Sequence, residues 1–355
     1  MALAWSSRWI SRILVVVVLI AAVQLQTLYF THDKLDLLPA YDFADETLQH
    51  ASISMRPTQS MKQQYATDGV VIVRNALPPQ WVSTALNVSK QVYKLRSAAN
   101  ALPEVNVTAL YSNWQENAVI RKLWFESGIA QIVAETVQSG SMRMLEDLVI
   151  MTEPSRMDFS CWHSDWYSFG SVMEKDLGYS VWITLVDIPS TLGGSVQVCQ
   201  RNHVPDNCED IKDGCEKIMR GEPPGRCEAA AAAACPTPEF RAGDAVIFAA
   251  DTIHRSQLLK DLDFRRFSLI ARFVDSRATY LPRRTPFLNS QTYKIMHDMC
   301  RHGLQAGDAF EGPCFPQVYP RAHAVELNSQ RFYIRRALIA AMAKIEQYRY
   351  GINVD

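Results

Sequence analysis

Between residues 178 and 274, short stretches alternate apolar or β-branched residues with polar ones. This two-residue period is typical of half-buried strands. It predicts strands within Gly178–Asp187, Gly243–Phe248 and Arg265–Val274, and a turn, a short strand and a polar loop along Gly193–His203. Glycine, proline and aspartate separate the stretches. Short strands with such turns favour a double-sheet β-sandwich or jelly roll.

The N-terminal residues have a different pattern. Arg8 and Arg12 precede an almost uncharged stretch, Ile13–Phe30, whose helix would span about 27 Å, enough for a thin secretory-pathway bilayer. Asp33 follows, so the positive-inside rule predicts a type II anchor with the rest of the chain in the lumen of the endoplasmic reticulum or Golgi. Small residues at Ala21–Val23 leave a second interpretation, a cleaved signal peptide and a secreted protein.

The domain plan that follows has an anchor at 1–30, a stem at 31–57 and one large domain at 58–350. Helical spacing along Ser329–Tyr350 predicts a helix that packs on the sheet. The formal net charge of the 355 residues is −1. A basic surface for nucleic acid is therefore not expected.

Glycosylation acceptors and cysteines agree with a lumenal domain. Asn87-Val88-Ser89 and Asn106-Val107-Thr108 are N-glycosylation triplets. The cysteines number eight and all follow residue 160, which favours disulfides over zinc because no Cys-x-x-Cys spacing occurs. Cys300 and Cys314 form a natural pair near the C-terminus.

A segment at about 204–240 is predicted to be an insertion near the mouth of the active site. It contains Cys208, Cys215, Cys227 and Cys235, whose pairing the sequence leaves open. The run Ala229–Ala234 predicts a short helix. The insertion either shapes a substrate pocket or is a surface loop without a role in binding.

Candidate metal ligands lie in the run Trp162-His163-Ser164-Asp165 and at His254. Side chains two residues apart on a strand share a face, so His163 and Asp165 would point the same way. Two histidines and one carboxylate on one face of an octahedral ion leave positions for a co-substrate and dioxygen. Each residue also has a structural alternative: a core histidine, a turn aspartate and a strand-capping histidine.

These motifs, in this order, resemble the phytanoyl-CoA dioxygenase family of Fe(II)/2-oxoglutarate oxygenases. Trp162–Asp165 resembles the metal-binding run of ectoine-hydroxylase-like members, and Trp182–Leu185 resembles the family's Trp-x-x-Leu strand. Gly194–His203 resembles the segment Gly-Pro-Leu…Pro-Gly-Ser-His, with its proline, glycine and serine replaced. Tyr65–Leu77 resembles the opening strand and the helix after it. The resemblance covers residues 58 to 277.

The resemblance implies a mainly β fold with flanking helices, a double-stranded β-helix of the jelly-roll or cupin-like kind. It implies that His163, Asp165 and His254 bind Fe(II), that 2-oxoglutarate is the co-substrate and that ascorbate is a candidate reductant. The implied activity is a dioxygenase that hydroxylates an unactivated C–H bond. The carboxylate at Asp165 favours hydroxylation over halogenation, since family halogenases carry a small residue there.

The distal carboxylate of 2-oxoglutarate needs a planar, bidentate cation, which arginine supplies. Arg265 and Arg266 are adjacent and point to opposite faces of the last predicted strand. Arg266 is favoured, with Ser268 as a second donor on its face, because Arg265 shares the face of apolar residues expected to pack on helices. Trp182 is either a packing aromatic or a wall of the co-substrate pocket.

Two alternatives stay open at this stage. The altered segment at 201–203 allows a catalytically inactive lumenal binding or scaffold protein on the same fold. A metal-dependent jelly-roll enzyme that does not use 2-oxoglutarate is the other. The sequence leaves the substrate open among a small molecule, a lipid, a glycan and a peptide, and it predicts membrane association through the N-terminal helix.

Overall fold

The computed structural model describes residues 55–102, 107–111, 113–154, 161–168, 172–204, 227–261, 263–281, 304–312 and 314–321. The predicted anchor, most of the stem, the middle of the insertion and the helix predicted at Ser329–Tyr350 lie outside these residues. Within them, no helix combines the length and the apolar character that a bilayer crossing requires.

The helices in chain order are α1 (Gln59–Asp68), α2 (Pro79–Asn100), α3 (Asn113–Glu116), α4 (Ala118–Glu126), α5 (Ile129–Val137), α6 (Asp165–Ser168) and α7 (Glu228–Ala234). The strands are β1 (Val70–Val73), β2 (Ala101–Leu102), β3 (Val107–Tyr111), β4 (Met142–Thr152), β5 (His163–Ser164), β6 (Gly178–Thr184), β7 (Val196–Val198), β8 (Ala245–Ala249), β9 (Ile253–Ser256), β10 (Arg266–Asp275) and β11 (Gln317–Tyr319). Short 3₁₀ turns lie at Lys175–Leu177 and Arg201–His203.

Among the described residues the strands form two antiparallel sheets. The major sheet has eight strands in the order β1-β8-β6-β10-β4-β3-β2, with β11 also paired to β4. The minor sheet has the order β5-β9-β7. Two facing antiparallel sheets with crossovers between them are the jelly-roll arrangement that the sequence predicted.

Alternation along the central strands separates a helix-covered face from an inner face. Phe267, Leu269, Ala271 and Phe273 of β10 are buried with residues of the flanking helices. Trp124 of α4, for example, packs edge-to-face on Phe273 at 6.3 Å between ring centroids. Burial of a large apolar side chain contributes about 1.5–3 kcal/mol, so this face anchors the helices to the sheet.

The inner face joins the two sheets. Apolar side chains from the major sheet meet the minor-sheet strand β7; they include Val70, Trp182, Val246 and Phe248 on one side and Val196 and Val198 on the other. The fold prediction is therefore confirmed, and the strands expected at 178–187, 243–248 and 265–274 correspond to β6, β8 and β10.

The described part of the insertion packs on the domain through a disulfide and a helix. The helix predicted on the alanine run is α7. Cys235 at its end pairs with Cys199, which lies outside the insertion, because the helix returns Cys235 to the end of β7. Cys161, Cys227 and Cys314 are also disulfide-bonded. Ala231 of α7 and the disulfide are buried against Trp162 and Ile253, the neighbours of His163 and His254.

Candidate metal centre

Strand pairing brings the three predicted ligands together. His163 of β5 lies directly opposite His254 of β9, with the ring centroids 4.2 Å apart. Asp165 is the first residue of α6, so the expectation that it shares a strand with His163 is wrong: β5 ends at Ser164. The turn nevertheless directs the carboxylate inward, and one donor atom from each of the three residues lies within 4.8 Å of the others.

Backbone carbonyls orient both imidazoles. The Nδ1 atom of His163 lies 3.2 Å from the carbonyl oxygen of Cys161, and Nδ1 of His254 lies 3.0 Å from that of Thr252. A ring nitrogen that faces a carbonyl carries the proton, so Nε2 of each ring retains its lone pair. Such second contacts on the far nitrogen are usual for metal-binding histidines.

The charge states suit a divalent cation. Burial, followed by the neighbouring His254, lowers the pKa of His163 to about 3, and burial lowers the pKa of His254 as well. Burial by itself raises the pKa of Asp165, but the Arg272 guanidinium and the two histidines lower it by more, so the net shift is downward. At neutral pH the three residues are therefore two neutral imidazoles and one carboxylate.

Both oxygens of Asp165 accept hydrogen bonds from residues that the sequence did not single out. Arg272 donates to Oδ1 at 2.7 Å, and the Ser180 hydroxyl donates to Oδ2 at 2.6 Å. Arg272 also donates to Glu146 at 2.5 Å. The sequence did indicate that Arg272 is buried, because strand alternation placed it on the same inward face as Arg266. A buried guanidinium needs hydrogen-bond acceptors.

Arg266 is a buried cation at the start of β10. It is 2% exposed and donates to the carbonyl of Gly194 at 2.5 Å and to the hydroxyls of Thr152 at 2.9 Å and Ser256 at 3.3 Å. No carboxylate of the described residues pairs with it, and its Nε has no hydrogen-bond partner among them. Burial lowers its pKa to about 10, so it stays charged at neutral pH. An uncompensated buried charge is costly and favours a site for an anion.

Gly194 explains part of this geometry. Its φ of 74° lies in the left-handed region, and a Cβ at this position would collide with the Leu259 side chain. Only glycine adopts this φ and leaves room for the Leu259 side chain without strain. The Gly193-Gly194 turn before β7 thereby places a carbonyl on the Arg266 guanidinium.

Arg265 has the opposite environment. Its side chain is 43% exposed and donates to Glu153 at 2.7 Å. The register of β10 against β4 shifts only between Arg272 and Phe273, which is beyond Arg265 and Arg266. The two arginines therefore point to opposite faces of the sheet, as strand alternation predicted. Of the two sequence alternatives, the geometry favours Arg266.

Ser268 and Trp182 lie beside Arg266 on the inner face. Ser268 is fully buried, and its hydroxyl has no hydrogen-bond partner among the described residues. Trp182 packs on Phe240 at 5.1 Å between ring centroids, and the centre of the Arg266 guanidinium lies 6.0 Å from the Trp182 ring. Trp182 therefore packs in the core and also lines the space next to Arg266.

The altered segment at 201–203 contacts α1. It forms a 3₁₀ turn, from which Arg201 donates to the carbonyl of Ala66 in α1 at 3.4 Å. Among the described residues, the group of side chains suited to a metal comprises His163, Asp165 and His254 and does not include His203. The replacements in this segment therefore leave the ligand set unchanged.

The donor set and the buried cation together fit Fe(II) and a dicarboxylate. Two imidazole nitrogens and one carboxylate oxygen converge. The inner face supplies the Arg266 guanidinium, which has no carboxylate partner among the described residues. A jelly roll with these features defines a non-haem iron oxygenase of the facial-triad type.

Comparison with known families agrees with this class. The family model described as Phytanoyl-CoA dioxygenase (PhyH) matches residues 65–267, more than half of the chain. The chain belongs to this family and is an Fe(II)- and 2-oxoglutarate-dependent dioxygenase. No curated protein matches it.

Solved structures show the same fold. The non-haem α-ketoglutarate-dependent epimerase SnoN from nogalamycin biosynthesis is 20% identical, with a TM-score of 0.55 over 73% of this chain and 97% of SnoN. The carbocyclase SnoK from the same biosynthesis is 20% identical, with a TM-score of 0.56 over 74% and 96%. The non-haem monooxygenase ThoJ is 15% identical, with a TM-score of 0.50 over 82% and 99%.

Proposed function

We propose that this oxygenase hydroxylates an unactivated C–H bond of a substrate in the lumen of the secretory pathway. The observation that carries the reaction is the complete ligand set, in which His163, Asp165 and His254 present donor atoms within 4.8 Å of one another in the charge states that Fe(II) needs. Retention of Asp165 supports hydroxylation over halogenation, because the carboxylate takes the position that a halide would need.

When bound, Fe(II) and 2-oxoglutarate supply the activation of dioxygen that oxidises the C–H bond. The protein's own part is to bind and orient. The Nε2 atoms of His163 and His254 and one oxygen of Asp165 hold the metal. Arg266 binds the distal carboxylate of the co-substrate, with the unpaired Ser268 hydroxyl as a second donor.

Strand β9 links the two halves of this site. His254 and Ser256 are two residues apart on one face of the strand, and Ser256 contacts Arg266. Two residues of strand span about 7 Å, a separation that a five-carbon dicarboxylate can bridge. Apolar residues pack on the inner face near this space; Phe248, for example, lies 4.6 Å from His254 between ring centroids.

The insertion borders an apolar cleft next to β7. Pro236 and Pro238 line it together with Val196 and Val198 of β7. Val198 lies directly opposite His254 in the β7–β9 register, and directly opposed residues share a face. This placement supports the proposal that the insertion shapes the substrate pocket and that an apolar part of the substrate enters there.

The experiment that tests the reaction uses full-length protein in detergent, supplied with Fe(II), 2-oxoglutarate and dioxygen. We expect conversion of 2-oxoglutarate to succinate, and loss of this activity in His254→Ala. Arg321→Met, a change at an exposed ion pair with Glu126, is the matched control and should retain turnover. A folded wild-type protein that binds Fe(II) without consuming 2-oxoglutarate would favour the inactive scaffold instead.

The lumenal location rests on separate observations. The stretch Ile13–Phe30 is proposed as a single-pass anchor, with cleavage and secretion as the alternative outcome. The Cys199–Cys235 disulfide favours an oxidising compartment, and Asn87 is exposed on α2, where it could carry a glycan. Untargeted metabolite and glycan profiling compares cells with and without the gene. In cells without the gene, one compound should be replaced by a form that has one oxygen atom fewer.

A further inference from the structure

A chain of three buried charges runs from the metal ligand into the major sheet. Arg272 lies between Asp165 and Glu146 and donates to both, at 2.7 Å and 2.5 Å. The three side chains are 3%, 8% and 9% exposed for Asp165, Arg272 and Glu146. Arg272 and Glu146 face each other directly in the β10–β4 register. Both residues are therefore fixed by strand pairing and not by loops.

Arg272 and Ser180 together lock the carboxylate. Arg272 donates to Oδ1 and Ser180 donates to Oδ2, so hydrogen bonds to both oxygens favour one orientation of the carboxylate plane. Charge-assisted hydrogen bonds of this kind are strong and directional. Asp165 needs such support because it begins a four-residue helix and has no strand neighbours to hold it.

An arginine on a metal-binding carboxylate has an electrostatic drawback. At short range in a buried site, its positive charge offsets the carboxylate and repels the incoming cation. Glu146 removes this drawback, because the charges of Asp165, Arg272 and Glu146 sum to −1 (−1 + 1 − 1), the same as Asp165 alone. The carboxylate is thereby held rigidly while its attraction for a divalent cation is retained.

We propose that Arg272 and Glu146 are positioning residues for the metal centre: Arg272 fixes the ligand Asp165, and Glu146 offsets the charge of Arg272 so that the metal still binds. This inference rests on the metal site of the proposed function. Neither residue is a metal ligand, and Glu146 acts on the metal through Arg272.

The test measures Co(II) binding to the full-length protein by chelator competition, with the visible absorption of Co(II) as a second readout. In Glu146→Gln, the charges of Asp165, Arg272 and residue 146 sum to zero instead of −1, and the Co(II) dissociation constant should rise about 10–100-fold, the range known for supporting residues of metal sites. Glu146→Asp retains the charge and should lose less. Arg321→Met, the control at an exposed ion pair, should bind as the wild type does.

The double variant separates a charge effect from a loss of structure. Adding Arg272→Met to Glu146→Gln restores the net charge of −1, so the Co(II) affinity of the double variant should exceed that of Glu146→Gln. It should stay below the wild type, because Ser180 alone then holds Asp165. A merely structural role predicts a double variant at least as weak as the single one. Arg272→Lys keeps the charge but loses the two separate guanidinium nitrogens that reach Asp165 and Glu146. It should therefore alter the Co(II) absorption. If Glu146→Gln does not fold, this variant tests whether Arg272 orients the Asp165 carboxylate.

The outcomes are distinguishable. A wild-type protein without Co(II) binding would overturn the metal site and this inference together. Wild-type binding with an unchanged affinity in Glu146→Gln would overturn the inference alone, as would an unchanged Co(II) spectrum in Arg272→Lys or a double variant no tighter than Glu146→Gln.

Discussion

Arg265 and Arg266 are adjacent in the sequence and lie in opposite environments. Strand alternation predicted this difference, because residues next to each other on a strand face opposite sides of the sheet. Arg265 forms a half-exposed ion pair with Glu153, and Arg266 is buried without a carboxylate partner among the described residues. The assignment of Arg266 to 2-oxoglutarate remains a prediction that affinity measurements can test.

Arg266→Ala should weaken 2-oxoglutarate binding strongly. Loss of one partner of a buried charge pair costs about 2–5 kcal/mol, which corresponds to some tens- to thousands-fold in the dissociation constant. Arg265→Ala removes a surface pair and should change affinity by less than about 1 kcal/mol. Titration of 2-oxoglutarate by calorimetry compares the two, and Fe(II) binding should survive both. Equal, weak effects would remove Arg266 as the anchor.

The partners of Asp165 could not be predicted from the sequence. Arg272 follows it by 107 residues and Glu146 precedes Arg272 by 126. The inward face of Arg272 followed from alternation, but the choice of acceptor depends on which strand lies next to β10. Sheet order is a property of the whole fold, and local patterns do not contain it.

At the scale of elements, strands were easier to predict than helices. The central strands have dense β-branched and apolar alternation, whereas α1 was not predicted because Tyr65 is its one buried residue. Its boundaries did carry signals: the Thr58 side chain caps the first turn, and Gly69 ends the helix with a φ of 71°. The turn at Asp165 was mistaken for strand, since a two-residue strand leaves almost no pattern.

The helix α7 and its disulfide should stabilise the domain. Replacement of both cysteines, Cys199→Ser and Cys235→Ser, removes a cross-link over 36 residues and should cost about 2–4 kcal/mol of unfolding free energy. Denaturant unfolding under non-reducing conditions measures the loss. Ala233→Ser, an exposed change in the same helix, is the matched control and should cost only a few tenths of a kcal/mol. A double variant as stable as the wild type would contradict the structural role of the cross-link.

At the scale of the whole molecule, the order of the motifs was enough to predict the jelly-roll fold and the family. The boundaries at 30 and 57 and the compartment remain predictions, since the N-terminal segment lies outside the described residues. The position of the insertion at about 204–240 also remains a prediction, since residues 205–226 lie outside the described residues. Its attachment to β7 was not predictable, because a cysteine pattern does not specify connectivity.

The predicted topology can be tested in intact microsomes. Protease added outside should leave the chain protected from about residue 31 onward, because the positive flank keeps only the N-terminus in the cytosol. Glycosidase should reduce the apparent mass, and Asn87→Gln together with Asn106→Gln should abolish that reduction. Digestion of the bulk of the chain from the cytosolic side would refute the lumenal location.

The central claim is that His163, Asp165 and His254 together bind one iron. The most direct measurement is a crystal structure of the Fe(II)-loaded protein prepared without oxygen. The account predicts one metal at about 2.0–2.2 Å from Nε2 of both histidines and from a carboxylate oxygen of Asp165, with Arg272 still on the same carboxylate. A metal bound elsewhere, or one that leaves out any of the three residues, would contradict it.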